Sequence, residues 1–295
     1  MKDVEGKVAF ITGGASGIGF GMARVFLNNG MKVIVADLSQ DNIDDAAAQL
    51  PGSNAVHFMR VDVADRADVL RAADEAERVF GKIHMVCNNA GVGGGGSAAD
   101  PEFDEWDWLM SINLGGVVNG VKAFVPKLKA HGEGGHVVNT SSMAGIIPLP
   151  GDGGAYTTAK FAVRGLTESL RLSLAPDNIG VSLLCPGLTR TRIMQAAAAR
   201  GGAQSLTREG DPNAMFNTME GAMDPLELGE AVMAGVKRND PFILPHGEFK
   251  DEVAALFQEV LDAFPVGQDV DPARLAFEER RRQQSDELRA LAAKG

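Results

Sequence analysis

The chain has 295 residues and a single tyrosine, Tyr156, in the stretch GDGGAYTTAK that ends at Lys160. Residues i and i+4 lie on one face of a helix, so a phenol and an ammonium at this spacing can meet. A free phenol titrates at about pH 10 and is a weak base at neutral pH. A neighbouring positive charge favours its ionised form. A tyrosine so placed can take the proton of an alcohol. Alone, a tyrosine four residues before a lysine is an ordinary surface pair. The elements around it must decide.

Those elements alternate. Short apolar runs, KVAFITG, MKVIVAD, AVHFMRVDV, KIHMVCNNAG, GHVVNTSS, VSLLCPG and PFILPHG, are bounded by Gly, Asp or Pro. They read as strands buried on both faces. Helical patterns lie between them, near 17–29, 40–50, 66–80, 104–130, 155–175 and 225–237. The last begins with Asp224-Pro225, a capping residue followed by proline at the first helical position. Alternation of this kind predicts an α/β fold, one doubly wound parallel sheet of about seven strands. Residues 1–247 form one such domain. Residues 188–224 are too long for an ordinary connection and read as a substrate loop or lid. Residues 248–295 form a helical extension, with Phe249, Val253, Leu256, Phe257, Val260, Leu261 and Phe264 on one stripe.

Open parallel sheets bind ligands at the carboxyl ends of their strands, where strand order reverses. The first strand ends in TGGASGIG and becomes a helix. Glycines there let the backbone approach a pyrophosphate, and the helix N-terminus stabilises its charge. Gly13, Ser16, Gly17, Ile18 and Gly19 are the candidate phosphate-binding residues. The second strand ends at Asp37, 18 residues beyond Gly19. A carboxylate there accepts hydrogen bonds from ribose hydroxyls and repels a 2′-phosphate. Neither Leu38 nor Ser39 is basic, so the expected cofactor is NAD, with Leu38 beside the ribose. Asp62 and Val63, ending the third strand, would meet the adenine edge, although Asp62 could equally cap a turn. A bound nicotinamide would add a positive charge near Tyr156 and receive the hydride.

At this point TGGASGIG, NNAG at 88–91, Asn113, NTSS at 139–142, YTTAK and PGLTRT at 186–191 together resemble the short-chain dehydrogenase/reductase superfamily, in that family's order, over about residues 5–247. The resemblance implies a single Rossmann-type domain and assembly as a homodimer or homotetramer. It also implies that Lys160 holds the nicotinamide ribose as well as acting on Tyr156. Ser142 would steady the substrate oxygen, and Asn113 would hold a water that links Lys160 to solvent. Asn89, Ala90 and Gly91 would floor the cofactor. Pro186, Gly187, Thr189 and Thr191 would form the turn that holds the carboxamide. Ser142 precedes Tyr156 by 14 residues, one more than the family's commonest spacing, which leaves Ser141 as the fallback.

Composition narrows the partners. A net charge of −11 argues against nucleic acid, because phosphate binding needs a basic face. No apolar run reaches the roughly 18 residues that cross a bilayer. The N-terminus reads as no targeting peptide. Two cysteines, Cys87 and Cys185, suit a reducing compartment, so a cytoplasmic location is expected. No ligand spacing marks a metal site. The expected partner is a small alcohol or ketone. GVGGGGS at 91–97, MAGIIPLP at 143–150 and Met194, Met215, Met219 and Met223 offer apolar, adaptable walls for a bulky or aromatic substrate. Arg190 and Arg192 are candidates for an acidic substrate group. GGASGIG, NTSS, DNIGVSLLCPG and PHGEF are loosely similar to bacterial Cα-dehydrogenases, which oxidise benzylic alcohols of aryl ethers. Two alternatives stand beside this reading. A reductase of carrier-bound 3-oxoacyl groups conflicts with Asp37 and the acidic charge. A non-catalytic dinucleotide sensor conflicts with the retention of Asn113, Ser142, Tyr156 and Lys160.

Overall fold

Seven strands pair in parallel in the order β3-β2-β1-β4-β5-β6-β7. They are β1 (Val8–Thr12), β2 (Lys32–Asp37), β3 (Val56–Arg60), β4 (Met85–Asn88), β5 (Gly135–Thr140), β6 (Ile179–Leu184) and β7 (Phe242–Ile243). The structure, a computed structural model, describes residues 1–50, 54–94, 97–99, 103–151, 153–194, 220–267 and 269–294. In β1, Ala9, Phe10 and Ile11 sit between Val33, Ile34 and Val35 of β2 and Met85, Val86 and Cys87 of β4. Every residue of β1, β4, β5 and β6 is buried, as their unbroken apolar runs require. The chain crosses from one side of β1 to the other between β3 and β4, which places the crevice above β1 and β4.

Two helical layers bury the sheet. Helices α1 (Gly17–Asn28), α2 (Gln40–Gln49) and α7 (Pro225–Arg238) pack Phe26, Ile43 and Val232 on one face. Helices α3 (Arg66–Phe80), α5 (Gly116–His131) and α6 (Gly154–Leu174) pack Ala73, Phe124 and Leu174 on the other. Local signals start the helices. Asp65 accepts from the amides of Ala67 and Asp68 to open α3, and Asp224 accepts from Leu226 to open α7 before Pro225.

The helix expected over 104–130 departs from a simple rod. It comprises α4 (Phe103–Met110), one wide π turn over Ser111–Gly115, and α5. The whole stretch 103–131 is long and apolar enough, by length and composition, to cross a membrane, a property that separate apolar runs do not reveal. Ala123, Phe124 and Leu128 instead lie in the core against the sheet.

The extension consists of α8 (Lys250–Asp262) and α9 (Pro272–Ala292). Phe249 and Val253 pack beside Met143, Ile146 and Val163. Arg164 stacks on the Phe257 ring at 5.6 Å. Beyond that the stripe turns outward, and no residue of α8 is buried. The far end of α9 returns to the body, where Asn239 donates to the Ala292 carbonyl at 2.7 Å.

Candidate active site

The β1–α1 turn rises at the crevice. Gly13 adopts φ +59°, and a β-carbon on it would lie 2.9 Å from the Ala90 Cα. Only glycine allows both the left-handed backbone and the approach. Ser16 precedes α1 without a side-chain capping bond, so the first-turn amides of Gly17, Ile18 and Gly19 keep their capacity to bind an anion. A pyrophosphate suits this cradle.

Asp37 closes β2 at 9% exposure. Its Oδ2 accepts from the Ala15 amide at 3.2 Å and its Oδ1 from Ser39 at 3.1 Å. Both oxygens thus face the turn at the end of β2. Burial raises the Asp37 pKa, while hydrogen bonds from Ser39, Ala15 and Asn42 pull it back. Leu38 is half exposed, and its carbonyl accepts from Arg60 Nε at 3.0 Å. Asp62 uses Oδ1 to hold the Ala64 amide at 2.9 Å, so it does cap a turn. Val63 is buried against Gly116, and its carbonyl accepts from Asn119.

Asn89 ties the strand ends together. Its side chain donates to the carbonyls of Thr12 and Gly13 and accepts from the Thr140 hydroxyl. Thr12 Oγ1 accepts from the amides of Asn89 and Ala90 at 2.9 and 3.0 Å, a role that sequence reasoning did not assign. Gly91 faces Asn113 Oδ1 and Lys160 Nζ. The Asn113 amide grips Val92 from both sides, accepting its N–H at 2.8 Å and donating to its C=O at 2.9 Å. That commitment gives Asn113 a structural task that its spacing alone does not show. Its side chain anchors the β4–α4 loop.

The YTTAK helix is α6. Lys160 is 3% exposed and donates to the Thr140 carbonyl at 3.2 Å, with Nζ 5.4 Å from the centre of the Tyr156 ring. Tyr156 shares a hydrogen bond with Ser142. Ser142 Oγ also accepts from the Ala144 amide at 3.1 Å and lies 3.5 Å from the Pro186 carbonyl. The fallback, Ser141, is buried and donates to the Lys160 carbonyl at 2.8 Å, so it serves the helix backbone. Burial sets the electrostatics of the pair. Burial raises the Tyr156 pKa, with the Ser142 bond opposing it, and burial lowers Lys160 to about 8. The protein's own groups therefore keep the phenol protonated. For both groups desolvation is the largest cause.

Residues 186–194 cross the crevice as a strap. The Pro186 carbonyl accepts from the Met143 amide at 2.9 Å. Thr189 is buried and pairs with Met223. Thr191 lies against Gly17, and the Gly93 amide donates to the Ile193 carbonyl at 3.0 Å. Met194 is buried over Gly93. Both arginines have partners within the chain. Arg190 pairs with Asp224, and Arg192 donates to Asn42 at 2.7 Å and pairs with Asp45 at 3.4 Å. Sequence reading also missed His246, whose ring meets Gly187. Most of the 188–224 segment, including Met215 and Met219, lies outside the described residues, as do positions 95, 96 and 152. Among the described residues no group of three His, Cys, Asp or Glu could hold a metal.

Residues 7–201 match the family model for short chain dehydrogenase. Over 285 residues the chain is 36% identical to the C alpha-dehydrogenase of Sphingobium sp. (strain NBRC 103272 / SYK-6), covering 94% of this chain and 93% of that one. A solved chain from Novosphingobium aromaticivorans, assigned to the short-chain dehydrogenases, is 39% identical with a TM-score of 0.85, covering 99% of this chain and 100% of that one. A short chain dehydrogenase/reductase from Burkholderia phymatum, solved in complex with NAD, is 30% identical with a TM-score of 0.79, covering 92% of this chain and all of that one.

Proposed function

Since this chain belongs to the short chain dehydrogenase family and is an oxidoreductase, we propose that it interconverts a secondary alcohol and a ketone with NAD as its cofactor. The observation that carries the reading is the meeting of Tyr156, Ser142 and Lys160 beside the cradle of Gly13 and α1. When bound, the nicotinamide supplies the hydride acceptor and a positive charge. The residues do the rest. Ser142 Oγ orients the substrate oxygen toward Tyr156 and steadies its developing charge. The Tyr156 oxygen takes the hydroxyl proton, or returns it in reduction. Lys160, already drawn down to about 8, passes a proton on at near-neutral pH. Asp37 holds the ribose hydroxyls and disfavours a 2′-phosphate.

Trp106, Trp108 and Val92 pack in one cluster with Tyr156, and Met143 follows Ser142 directly, which suits a bulky apolar or aromatic alcohol. The C alpha-dehydrogenase likeness supports a benzylic aryl-ether alcohol. The test is NADH formation from NAD+ or NADP+ with benzylic aryl-ether, steroid, diol and hydroxyacyl alcohols. Turnover of a benzylic alcohol with at least tenfold preference for NAD+ is expected. Preference for NADP+ would overturn the cofactor assignment, and no benzylic turnover would overturn the substrate class.

The working form is a homo-oligomer. Val260, Leu261, Phe264, Val266, Val270, Leu275 and Phe277 are all exposed on the extension. With side-chain areas of roughly 150–250 Å² for the large ones, this face and Phe257 amount to roughly 800 Å², one partner's share of a standard interface. A second copy of the chain is the occupant that covers it.

A further inference from the structure

We propose that His246, at the head of the C-terminal extension, is a positioning residue that sets the Pro186–Leu188 turn for the nicotinamide end of the dinucleotide; this rests on the function proposed above. His246 is 7% exposed. Both of its ring nitrogens are committed to one turn. The Gly187 amide donates to Nδ1 at 3.0 Å, so Nδ1 carries no proton. Nε2 lies 3.2 Å from the Leu188 carbonyl, which can only accept, so Nε2 carries the proton. Two backbone partners thus fix the tautomer and the ring plane.

The imidazole also shapes the turn by volume. A β-carbon on Gly187 would lie 2.9 Å from two His246 ring carbons and 2.8 Å from the Phe249 ring. The backbone therefore approaches the ring more closely than any other residue type allows. Phe249 meets His246 edge-on at 6.4 Å between centroids and backs the ring. On the opposite side the turn reaches the chemistry directly. The Pro186 carbonyl accepts from the Met143 amide and faces Ser142 Oγ, and Thr189 Oγ1 donates to the Gly187 carbonyl at 3.3 Å. A turn released from His246 would move the wall that Ser142 leans on.

The variants separate the two bonds. In His246→Asn, Oδ1 can replace Nδ1 as acceptor for Gly187. In His246→Gln, Nε2 can replace the donor to Leu188. His246→Ala removes both. The measurement is the dissociation constant of NAD+ and of ADP-ribose, which lacks the nicotinamide, by isothermal titration calorimetry. His246→Ala is expected to weaken NAD+ about tenfold, with ADP-ribose within twofold of the wild type and partial recovery of NAD+ affinity in His246→Asn. Equal weakening of both ligands, or no weakening of NAD+, would overturn the inference. Should the alanine variant not fold, His246→Gln, which loses the Gly187 acceptor, carries the same comparison. A wild type that binds both ligands while the variants match it sinks the His246 role alone. A wild type that binds neither sinks the proposed function as well.

Discussion

Burying Lys160 draws its pKa from 10.5 to about 8, because burial penalises the ammonium. Between those values the unfolded chain holds a proton that the folded chain has lost, so stability rises with pH across that window. Below about pH 8 the full cost of burial is present. Lys160→Met should therefore raise the melting temperature at pH 7, with the gain shrinking toward pH 10.5, while it abolishes alcohol oxidation. Thermal scans at the two pH values check this, and a lower melting temperature at pH 7 would show that the bond to Thr140 outweighs desolvation. Burial favours the neutral form of Tyr156 as well, which moves its pKa the opposite way, upward. Tyr156→Phe should lower kcat by about 10²–10⁴ and leave the dissociation constant of NAD+ within twofold. Steady-state kinetics with calorimetry separate those outcomes. Sequence spacing left Ser141 and Ser142 both open, because adjacent strand-end residues differ only in which way they point. Ser141 points into α6 and Ser142 toward the phenol.

Among the elements, the π turn at Ser111–Gly115 lies where Asn113 grips Val92. A one-residue widening of a helix re-aims side chains without breaking it, and such turns recur at functional sites. Asn113→Ala would leave the Val92 amide and carbonyl without these bonds. It should cost about 1–3 kcal/mol of stability and loosen the cofactor floor, read as a lower denaturation midpoint together with a weaker dissociation constant for NAD+. An unchanged midpoint would count against the grip. The strap over 186–194 makes a separate prediction. Arg192 is one of its ties, an exposed pair with Asp45 plus a bond to the buried Asn42. Exposed pairs contribute roughly 0.2–1 kcal/mol. Arg192→Ala should thus speed NADH dissociation about 1.5- to 5-fold in stopped-flow fluorescence, and an unaltered rate would mean the strap does not hold the cofactor.

The whole molecule combines an open sheet domain with an arm anchored at both ends. Phe249 and Val253 fix the arm near the site, and Ala292 fixes its far end below β6 through Asn239 and Arg171. What lies between presents apolar side chains outward, from Val260 to Phe277. Paired Phe264→Glu and Phe277→Glu substitutions should lower the mass seen by light scattering toward that of one chain. Retention of the wild-type mass would overturn the proposed docking of a second copy on the arm.

The amino-acid sequence by itself determined what depends on near neighbours. Strand and helix order, the Gly13 turn, the Asp224-Pro225 helix start and the Tyr156–Lys160 face all follow from periodicities and backbone demands within a few residues. The seven parallel strands and the crevice above β1 and β4 follow from the same alternation. Only the tertiary structure decided the partners. The Asn113 grip spans 21 positions, the Gly187–His246 bond 59 and the Arg192–Asn42 bond 150. Such pairs carry no local signature, because their contact depends on which strand lies beside which. The burial of Tyr156 and Lys160 escaped prediction for the same reason. A pair can be read from spacing, but the depth at which it is buried is a property of the packed layers.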